Sequence, residues 1–295
     1  LVSSNTFVVQ EMAAFALTEL CRNNHENKST AAEHGSLSLL IQALKDGAQT
    51  RDAVQAEAAG AIWVLSEDHE RNKQEVETKH GIAPTVALLA STNLRAQKHA
   101  ANALASLGHK NIENQTQITS LLVGLLGSGN PHAKSNAADT LWRIVQENPS
   151  SQEMVAKSGS TTDLIALLKD GSEQAKEYAL WSLSLSINEA NQKVLLEQEG
   201  IDPLVAALQS PSLVTRQQAA RALAALALDN EKAQAMIAKA GSVVPLILIV
   251  KQTQGDEAEA VAAREHAAAA LAQLAFVPDN RDEIVEADGI EPLVM

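Results

Sequence analysis

Apolar residues recur along this chain at intervals of three and four, the spacing that places them on one face of an α-helix. In the segment AARALAALAL at 219–228, for example, alanine and leucine form one continuous apolar stripe. Both residue types are abundant throughout the sequence, and both favour helix over strand. The pattern therefore predicts an all-α protein whose helices each bury one face.

The stripe belongs to a block of the form Ala-Ala-x-Ala-Leu-x-x-Leu that recurs along the whole chain. Its copies lie at 12–20, 58–65, 100–107, 137–144, 177–186, 219–226 and 267–274. A second block, close to Gly-Ile-x-Pro-Leu-Val, alternates with the first, and its glycines are Gly35, Gly81, Gly159, Gly200, Gly241 and Gly289. The intervals between these glycines are 41 to 48 residues, except for one of 78 residues. We interpret the long interval as two shortened repeats, because the unit around 108–128 lacks the glycine and part of a helix.

The second block has the chemistry of a corner between two helices. Each glycine follows a helical stretch, where a left-handed residue is expected to end the helix. The proline two or three residues later fits the first turn of the next helix, where its missing N–H is tolerated. Because no single unit can bury its own apolar face, neighbouring units are expected to stack and share a core.

This order of a glycine, a short Pro-Leu-Val helix and a long Ala-Ala-x-Ala-Leu helix resembles the armadillo repeat of the β-catenin and importin-α type. The resemblance implies a right-handed superhelical solenoid of about seven repeats with three helices each. We expect one solenoid over 1–295, as a fragment of a longer array. The approximate repeats are 3–47, 48–91, 92–128, 129–171, 172–210, 211–253 and 254–295. Longer connections are expected at about 45–54 and 251–260.

In the armadillo family the long third helix of each unit lines a concave groove, often with Trp at the variable x position and Asn four residues later. The positions that match the Trp hold Phe15, Gly60, Asn102, Asp139, Trp181, Arg221 and Ala269. Those that match the Asn hold Glu19, Val64, Ser106, Arg143, Leu185, Ala225 and Gln273. Because no asparagine occupies the second set, the ladder that clamps an extended peptide in importin-α is absent. Binding of nuclear-import cargo is therefore not expected.

The fourth to sixth units nevertheless concentrate polar and aromatic residues on the predicted groove. This candidate partner-binding strip consists of Asn136, Asp139, Arg143, Tyr178, Trp181, Gln218 and Arg221. Aromatic and arginine side chains are typical of binding hot spots. The alternative is that Tyr178 and Trp181 fill the space between adjacent helices. Two further tryptophans, Trp63 and Trp142, are expected to pack against a neighbouring repeat.

Charge and composition limit the classes of partner. The formal net charge of −13 argues against nucleic acid or an anionic membrane. Residues 254–295 carry ten acids against two arginines, whereas 82–160 have a net charge of +2, and such a dipole could orient a partner. A single cysteine, Cys21, excludes an intramolecular disulfide, and no apolar stretch reaches eighteen residues. We therefore expect a cytoplasmic protein without membrane insertion.

The sequence contains no recognisable catalytic chemistry. The eight histidines are scattered without metal-ligand spacing, and the glycines are explained by helix ends. We expect no catalytic residue, no metal, no cofactor and no small-molecule substrate. The leading hypothesis is a scaffold that binds a protein or peptide along the groove. The alternatives are a structural subunit of a larger cytoskeletal or ciliary assembly, and a recognition module of a larger enzyme such as a ubiquitin ligase.

Overall fold

The computed structural model describes residues 1–4, 6–46, 52–127, 130–145, 149–151, 160–171, 173–187, 189–252, 255 and 257–294. Within these ranges every regular element is a helix, and none is a strand. The prediction of an all-α fold is therefore confirmed. The chain divides into two compact units, Leu1–Ser151 and Gln152–Met295. Each unit is described below by itself.

The first unit alternates long helices with pairs of short ones. Its helices are α1 (Phe7–Cys21), α2 (His25–Glu33), α3 (Ser36–Lys45), α4 (Asp52–Ser66), α5 (Glu70–Thr78), α6 (Ile82–Ala87), a 3-10 turn (Leu88–Ala90), α7 (Leu94–Gly108), α8 (Ile112–Leu126) and α9 (Pro131–Val145). The long helices α1, α4, α7 and α9 contact one another in sequence, and α2, α3, α5 and α6 form the layers behind them. This is the stacked arrangement expected of armadillo repeats.

The second unit repeats the same order. Its helices are α10 (Ser160–Asp170), α11 (Glu173–Ser186), α12 (Glu189–Glu197), α13 (Ile201–Ala207), α14 (Leu213–Ala227), α15 (Glu231–Lys239), α16 (Val243–Gln252), α17 (Ala258–Leu274), α18 (Pro278–Glu286) and α19 (Ile290–Val294). Here the long helices α11, α14 and α17 are consecutive neighbours. The prolines of the Pro-Leu-Val blocks lie in the first turns of α13, α16 and α19, as predicted.

Small residues set the distance between neighbouring long helices. Ala59 on α4 and Ala100 on α7 are fully buried. A Cβ atom built on Gly60 of α4 would lie only 2.8 Å from the Nδ1 atom of His99 on α7. The recurring Ala-Ala-x-Ala pattern of these helices therefore serves close packing, since larger side chains there would force the helices apart.

The repeat glycines end their helices in two different ways. Gly35 and Gly241 adopt the left-handed region with φ of 77° and 81°, which confirms the expectation of a left-handed cap. Gly81 and Gly200 have φ of −83° and −75°, and Gly289 also lies outside the left-handed region, so the same expectation is wrong for these three corners. Gly159 lies outside the described residues.

At Gly81 the left-handed residue is instead its predecessor, His80, with φ of 57°. The glycine is required there for space. An added Cβ atom would lie 2.8 Å from Cγ1 of Val76 and 2.9 Å from Cδ1 of Ile41. Gly200 follows the same rule, because Glu199 has φ of 56° and an added Cβ atom would approach a leucine methyl group at 2.7 Å.

The shortened unit predicted near 108–128 is present. After α7 the chain forms a single fifteen-residue helix, α8, where the other described units have two short helices. No proline and no left-handed residue interrupts Ile112–Leu126, so the helix continues through the position of the corner. The longer connections predicted at about 45–54 and 251–260 fall largely on residues outside the described ranges, and the repeat boundaries stay a prediction.

Two further observations concern the single cysteine and the length of the apolar helices. Cys21, the last residue of α1, is a free thiol with only 1% of its surface exposed. Among the described helices, none is long and apolar enough by itself to cross a membrane, although α15 and α16 together, bent by 81°, meet the length and composition of a broken span.

Candidate functional site

A surface depression of about 530 Å³ lies on the face of the long helices in the first unit. We call it the two-tryptophan pocket. It is lined by Trp63, Glu67, Asp68, Asn102, Ala105, Ser106, His109, Trp142 and Arg143. These residues come from α4, α7 and α9 and from the turns that follow them, so the pocket spans three consecutive repeats.

The two tryptophans of this pocket were expected to be packed against a neighbouring repeat. Both are half-buried in the structure and contribute to an open surface. The ring of Trp63 packs against the ring of His99 on α7, with 6.3 Å between the two ring centres. Each tryptophan is three residues beyond the x position of its block, and residues three apart share a helix face. This spacing places both tryptophans beside the groove position, although it does not tell how far a neighbouring helix covers them.

The ends of the pocket carry opposite charges. Both Nη atoms of Arg143 lie 3.3 Å from Oδ1 of Asn102, which fixes the guanidinium against α7. At the other end, Glu67 and Asp68 follow the C-terminus of α4, and neither forms a salt bridge with a described residue. The pocket can therefore hold an aromatic or apolar group between the rings, with a cation at one end and an anion at the other.

Three members of the predicted partner-binding strip lie in the first unit, on α9. The Nδ2 atom of Asn136 donates to the backbone oxygen of Leu89 at 2.9 Å, so this residue connects two repeats. Asp139 is half-buried, and this burial raises the pKa of its carboxyl group while nearby Arg143 acts to lower it. Arg143 is exposed, and of the three it alone lines the two-tryptophan pocket.

The other four members lie in the second unit, on α11 and α14. Gln218 is buried, and its Oε1 atom lies 3.3 Å from Oγ of Ser184, so it belongs to the packing beneath the surface. Trp181 and Arg221 are half-buried, whereas the side chain of Tyr178 lies outside the described part of the chain. The joint use of these residues in binding stays a prediction.

An amide ladder exists in this protein, but it closes helix ends instead of lining the groove. In five repeats a side-chain amide of the first short helix donates to a carbonyl at the end of the preceding long helix. The pairs are Asn27 with Leu20, Asn72 with Leu65, Asn114 with Leu107, Gln234 with Ala227 and Asn280 with Leu274, at 2.6 to 3.0 Å. The recurring amide six or seven residues beyond these carbonyls is the signal that sequence reasoning missed.

The turns between these helices are fixed by side-chain N-caps. Asn24, Asn111 and Asn230 each accept a hydrogen bond from the backbone N–H three residues later. His69 does the same through its Nδ1 atom. The turn that His69 caps carries Glu67 and Asp68, so the cap holds one wall of the two-tryptophan pocket in place.

Buried lysines tie each repeat to the next. The Nζ atom of Lys28 donates to the backbone oxygen of Glu67 at 2.5 Å, and that of Lys73 donates to the backbone oxygen of His109 at 2.6 Å. Both acceptors follow the C-terminus of a long helix, where a positive charge is favoured. The pocket residues Glu67 and His109 are therefore positioned by the short helices behind them.

A larger depression, of about 810 Å³, lies among the short helices of the second unit. Its lining is mainly apolar, with Val244 51% exposed and Leu248 41% exposed. The charged residue in its lining, Arg216, already donates to the backbone oxygens of Ser210 and Pro211. Among the described residues, no group of three or more His, Cys, Asp or Glu side chains is placed to hold a metal ion. The two-tryptophan pocket has the more specific chemistry.

Comparison with known proteins identifies the repeat. Residues 188–227 match the family described as Armadillo/beta-catenin-like repeat. Human armadillo repeat-containing protein 3 is 32% identical over 120 residues, which are 39% of this chain and 14% of that protein. The Arabidopsis thaliana protein Cellulose synthase interactive 3 is 26% identical over 225 residues, which are 72% of this chain and 10% of that protein. The chain thus spans a small part of these relatives.

Solved structures agree with the repeat match. An engineered protein from a structural genomics consortium superposes with a TM-score of 0.76 at 29% identity, over 100% of this chain and 71% of its own. A designed armadillo repeat protein in complex with the peptide (KR)4 superposes at 0.62 and 23% identity, over 81% of this chain and 99% of its own, which shows the fold alone. By its repeats, its helical stacking and these matches, the chain is an armadillo-repeat protein.

Proposed function

We propose that this protein is a non-enzymatic scaffold, located in the cytoplasm, that binds a segment of a partner protein along the face of its long helices. The observation that carries the proposal is the two-tryptophan pocket, in which Trp63 and Trp142 flank an open depression on three consecutive repeats. Rigid aromatic rings provide a large contact area with few rotors to immobilise. The fold supports the general role, because armadillo solenoids present extended binding surfaces.

The pocket favours a partner segment with three features. An aromatic or apolar side chain would insert between Trp63 and Trp142. A basic residue would lie toward Glu67 and Asp68, whose carboxylates form no salt bridge with a described residue, and an acidic residue would lie toward Arg143. Such opposite charges at the two ends would fix the direction of the bound segment. The net charge of −13 supports a protein partner over nucleic acid or an anionic membrane.

A peptide-display library selected on the immobilised chain tests this proposal. Each selected peptide is measured by calorimetry against Trp142→Ala and against Phe276→Ala, whose ring is 71% exposed but lies outside the pocket. We expect Trp142→Ala to weaken binding by about thirty-fold, as for a hot-spot residue, and Phe276→Ala to have no effect. Equal losses for both variants, or the absence of any selected peptide, would refute the pocket as the binding site.

The strip in the fourth to sixth repeats is tested with the same peptides. If it extends the binding surface, Trp181→Ala and Arg221→Ala will each lower affinity, with Trp181→Ala costing about 2 kcal/mol. If Trp181 only fills space between helices, its replacement will instead lower the melting temperature and leave affinity unchanged. Measuring both quantities for both variants separates these outcomes.

A further inference from the structure

One helix cap in the first unit differs from its counterparts in chemistry. Asparagine occupies the N-cap position before α2, α8 and α15, whereas histidine occupies it before α5. Asparagine does not titrate near neutral pH. Histidine does, and only its neutral ring retains a nitrogen that accepts a hydrogen bond.

The hydrogen bonds of His69 define which form of the ring the fold requires. Its Nδ1 atom accepts from the backbone N–H of Asn72 at 3.3 Å, so Nδ1 carries no proton. Its Nε2 atom lies 3.0 Å from Oγ of Ser29, to which it donates, and that hydroxyl donates to the backbone oxygen of His25 at 3.2 Å. The junction between α2 and α5 is therefore built around a neutral imidazole.

The surroundings of His69 are unfavourable to a positive charge. The ring is 4% exposed and stacks on the ring of His25 at a centre-to-centre distance of 4.4 Å. Burial, and then His25, Lys28 and Arg71, lower the pKa of His69 below its ordinary value of 6.5, although a backbone hydrogen bond acts in the opposite direction.

The nearby acids already have partners or face the groove. Glu33 pairs with Arg71, and Glu70 pairs with Lys73 and accepts from Asn111. Glu67 and Asp68 belong to the pocket wall, where Arg22 of α1 is the cation that acts on Glu67. No described carboxylate forms a salt bridge with the His69 ring.

We propose that His69 is a pH-sensitive joint between the first two short-helix layers, which releases the N-cap of α5 and loosens the 66–69 turn when its ring is protonated. Once protonated, Nδ1 could no longer accept the hydrogen bond from the backbone N–H of Asn72, because two N–H groups would face each other. The new positive charge would also lie beside His25 and Lys28. The turn that loses its cap carries Glu67 and Asp68. Acidification would thus open one wall of the two-tryptophan pocket.

The direction of the pKa shift of His69 decides whether acidification strengthens or weakens the joint. A histidine whose pKa is lowered by folding stabilises the folded form fully above its unfolded value of about 6.5. That contribution is lost as the pH falls from there through the lower pKa of the folded state. The joint is therefore closed at neutral pH and opens as the pH falls below 6.5 through the lowered pKa of the folded state.

Hydrogen exchange of the whole chain, without any partner, tests the joint. Between pH 7.5 and pH 5.0 we expect the protection factors of the first amides of α5 to fall about five-fold in the wild type, the factor that corresponds to the loss of one N-cap. His69→Asn restores the cap used in the other repeats and is expected to abolish this fall. His25→Asn leaves the cap in place and is expected to retain it.

Three results would overturn the proposal. They are a wild type without this loss of protection, a His69→Asn variant that loses protection over the same pH range, and a His69 ring that titrates at or above 6.5 by NMR in the wild type. The NMR measurement requires no variant, so it decides the matter even if His69→Asn is poorly folded.

The effect of the joint on partner binding rests on the proposed function. A peptide selected at pH 7.5 should then lose affinity at pH 5.0 for the wild type but not for His69→Asn. If no peptide binds, the proposed function fails and the exchange result still stands. If exchange shows no pH effect, the joint fails and peptide binding at pH 7.5 is untouched.

Discussion

At the scale of single residues, polar side chains in this protein hold helix ends in place. Lys73 is buried because its ammonium group reaches the backbone oxygen of His109 beyond the end of α7, and Asn72 beside it closes the end of α4. These roles were not predictable from hydrophobic periodicity, because the residues lie on short, mostly polar helices. Trp63 packs against His99 of the next repeat, as expected, but its remaining exposure was not predictable. Its position relative to the Ala-Ala block defines a helix face, but not how far a neighbouring helix covers that face.

Replacing Lys73 by methionine tests the first of these roles. The variant keeps much of the side-chain volume but loses the charged hydrogen bond to His109, so we expect the free energy of unfolding to fall by about 2 kcal/mol. Lys79→Met is the matched control, because Lys79 is more exposed and forms a surface pair with Glu75 at 3.6 Å. Urea denaturation of both variants measures the difference. Equal stabilities would contradict the role assigned to Lys73.

At the scale of elements, the order of long and short helices followed from the two repeated blocks, as did the shortened unit. The conformation of the corners did not follow. Gly35 and Gly81 occupy the same place in the sequence pattern, yet only the first adopts a positive φ. Both glycines follow a histidine, so the difference comes from the side chains packed around each corner, Ile41 of the preceding repeat among them, which a single-sequence pattern does not place in space.

Two glycine substitutions should therefore have opposite effects. Gly81→Ala introduces a Cβ atom 2.8 Å from Val76, and the resulting overpacking is expected to lower the free energy of unfolding by about 1–3 kcal/mol. Gly124→Ala lies within α8 with no atom within 4 Å of the new Cβ, and is expected to raise it by about 0.5–1 kcal/mol. Thermal unfolding of the two variants checks the signs. A stabilised Gly81→Ala would show that the corner has free space.

At the scale of the whole molecule, the sequence predicted the fold class, whereas the use of the long-helix face as a binding surface stays a prediction. The use of the predicted strip as a binding site also stays a prediction. Gln218 and Asn136 bond to their surroundings, and the members of the strip divide between two compact units. Whether a residue on a groove helix is free for a partner depends on the hydrogen bonds between repeats, and these are long-range contacts.

The groove chemistry predicts poor binding of nuclear-import signals. None of the seven positions that match the family's asparagine ladder is asparagine, so the backbone of a basic signal peptide lacks its clamp. The acidic net charge of −13 supplies only an attraction that salt screens. We expect fluorescence anisotropy to show that the signal peptide binds weakly and that this binding disappears at physiological salt. A scrambled peptide of the same composition should behave in the same way. Submicromolar affinity retained at that salt concentration would contradict this view of the groove.

The single thiol at the end of α1 can serve as a probe of local opening in this solenoid. Cys21 is almost wholly covered, and burial raises the pKa of its thiol, so an alkylating reagent reaches a reactive thiolate only when the first repeat opens. In a stack held by nearest-neighbour contacts, one repeat can open without its distant neighbours. The labelling rate of Cys21 therefore reports local opening of the layer that contains α1, separately from the unfolding of the remaining array.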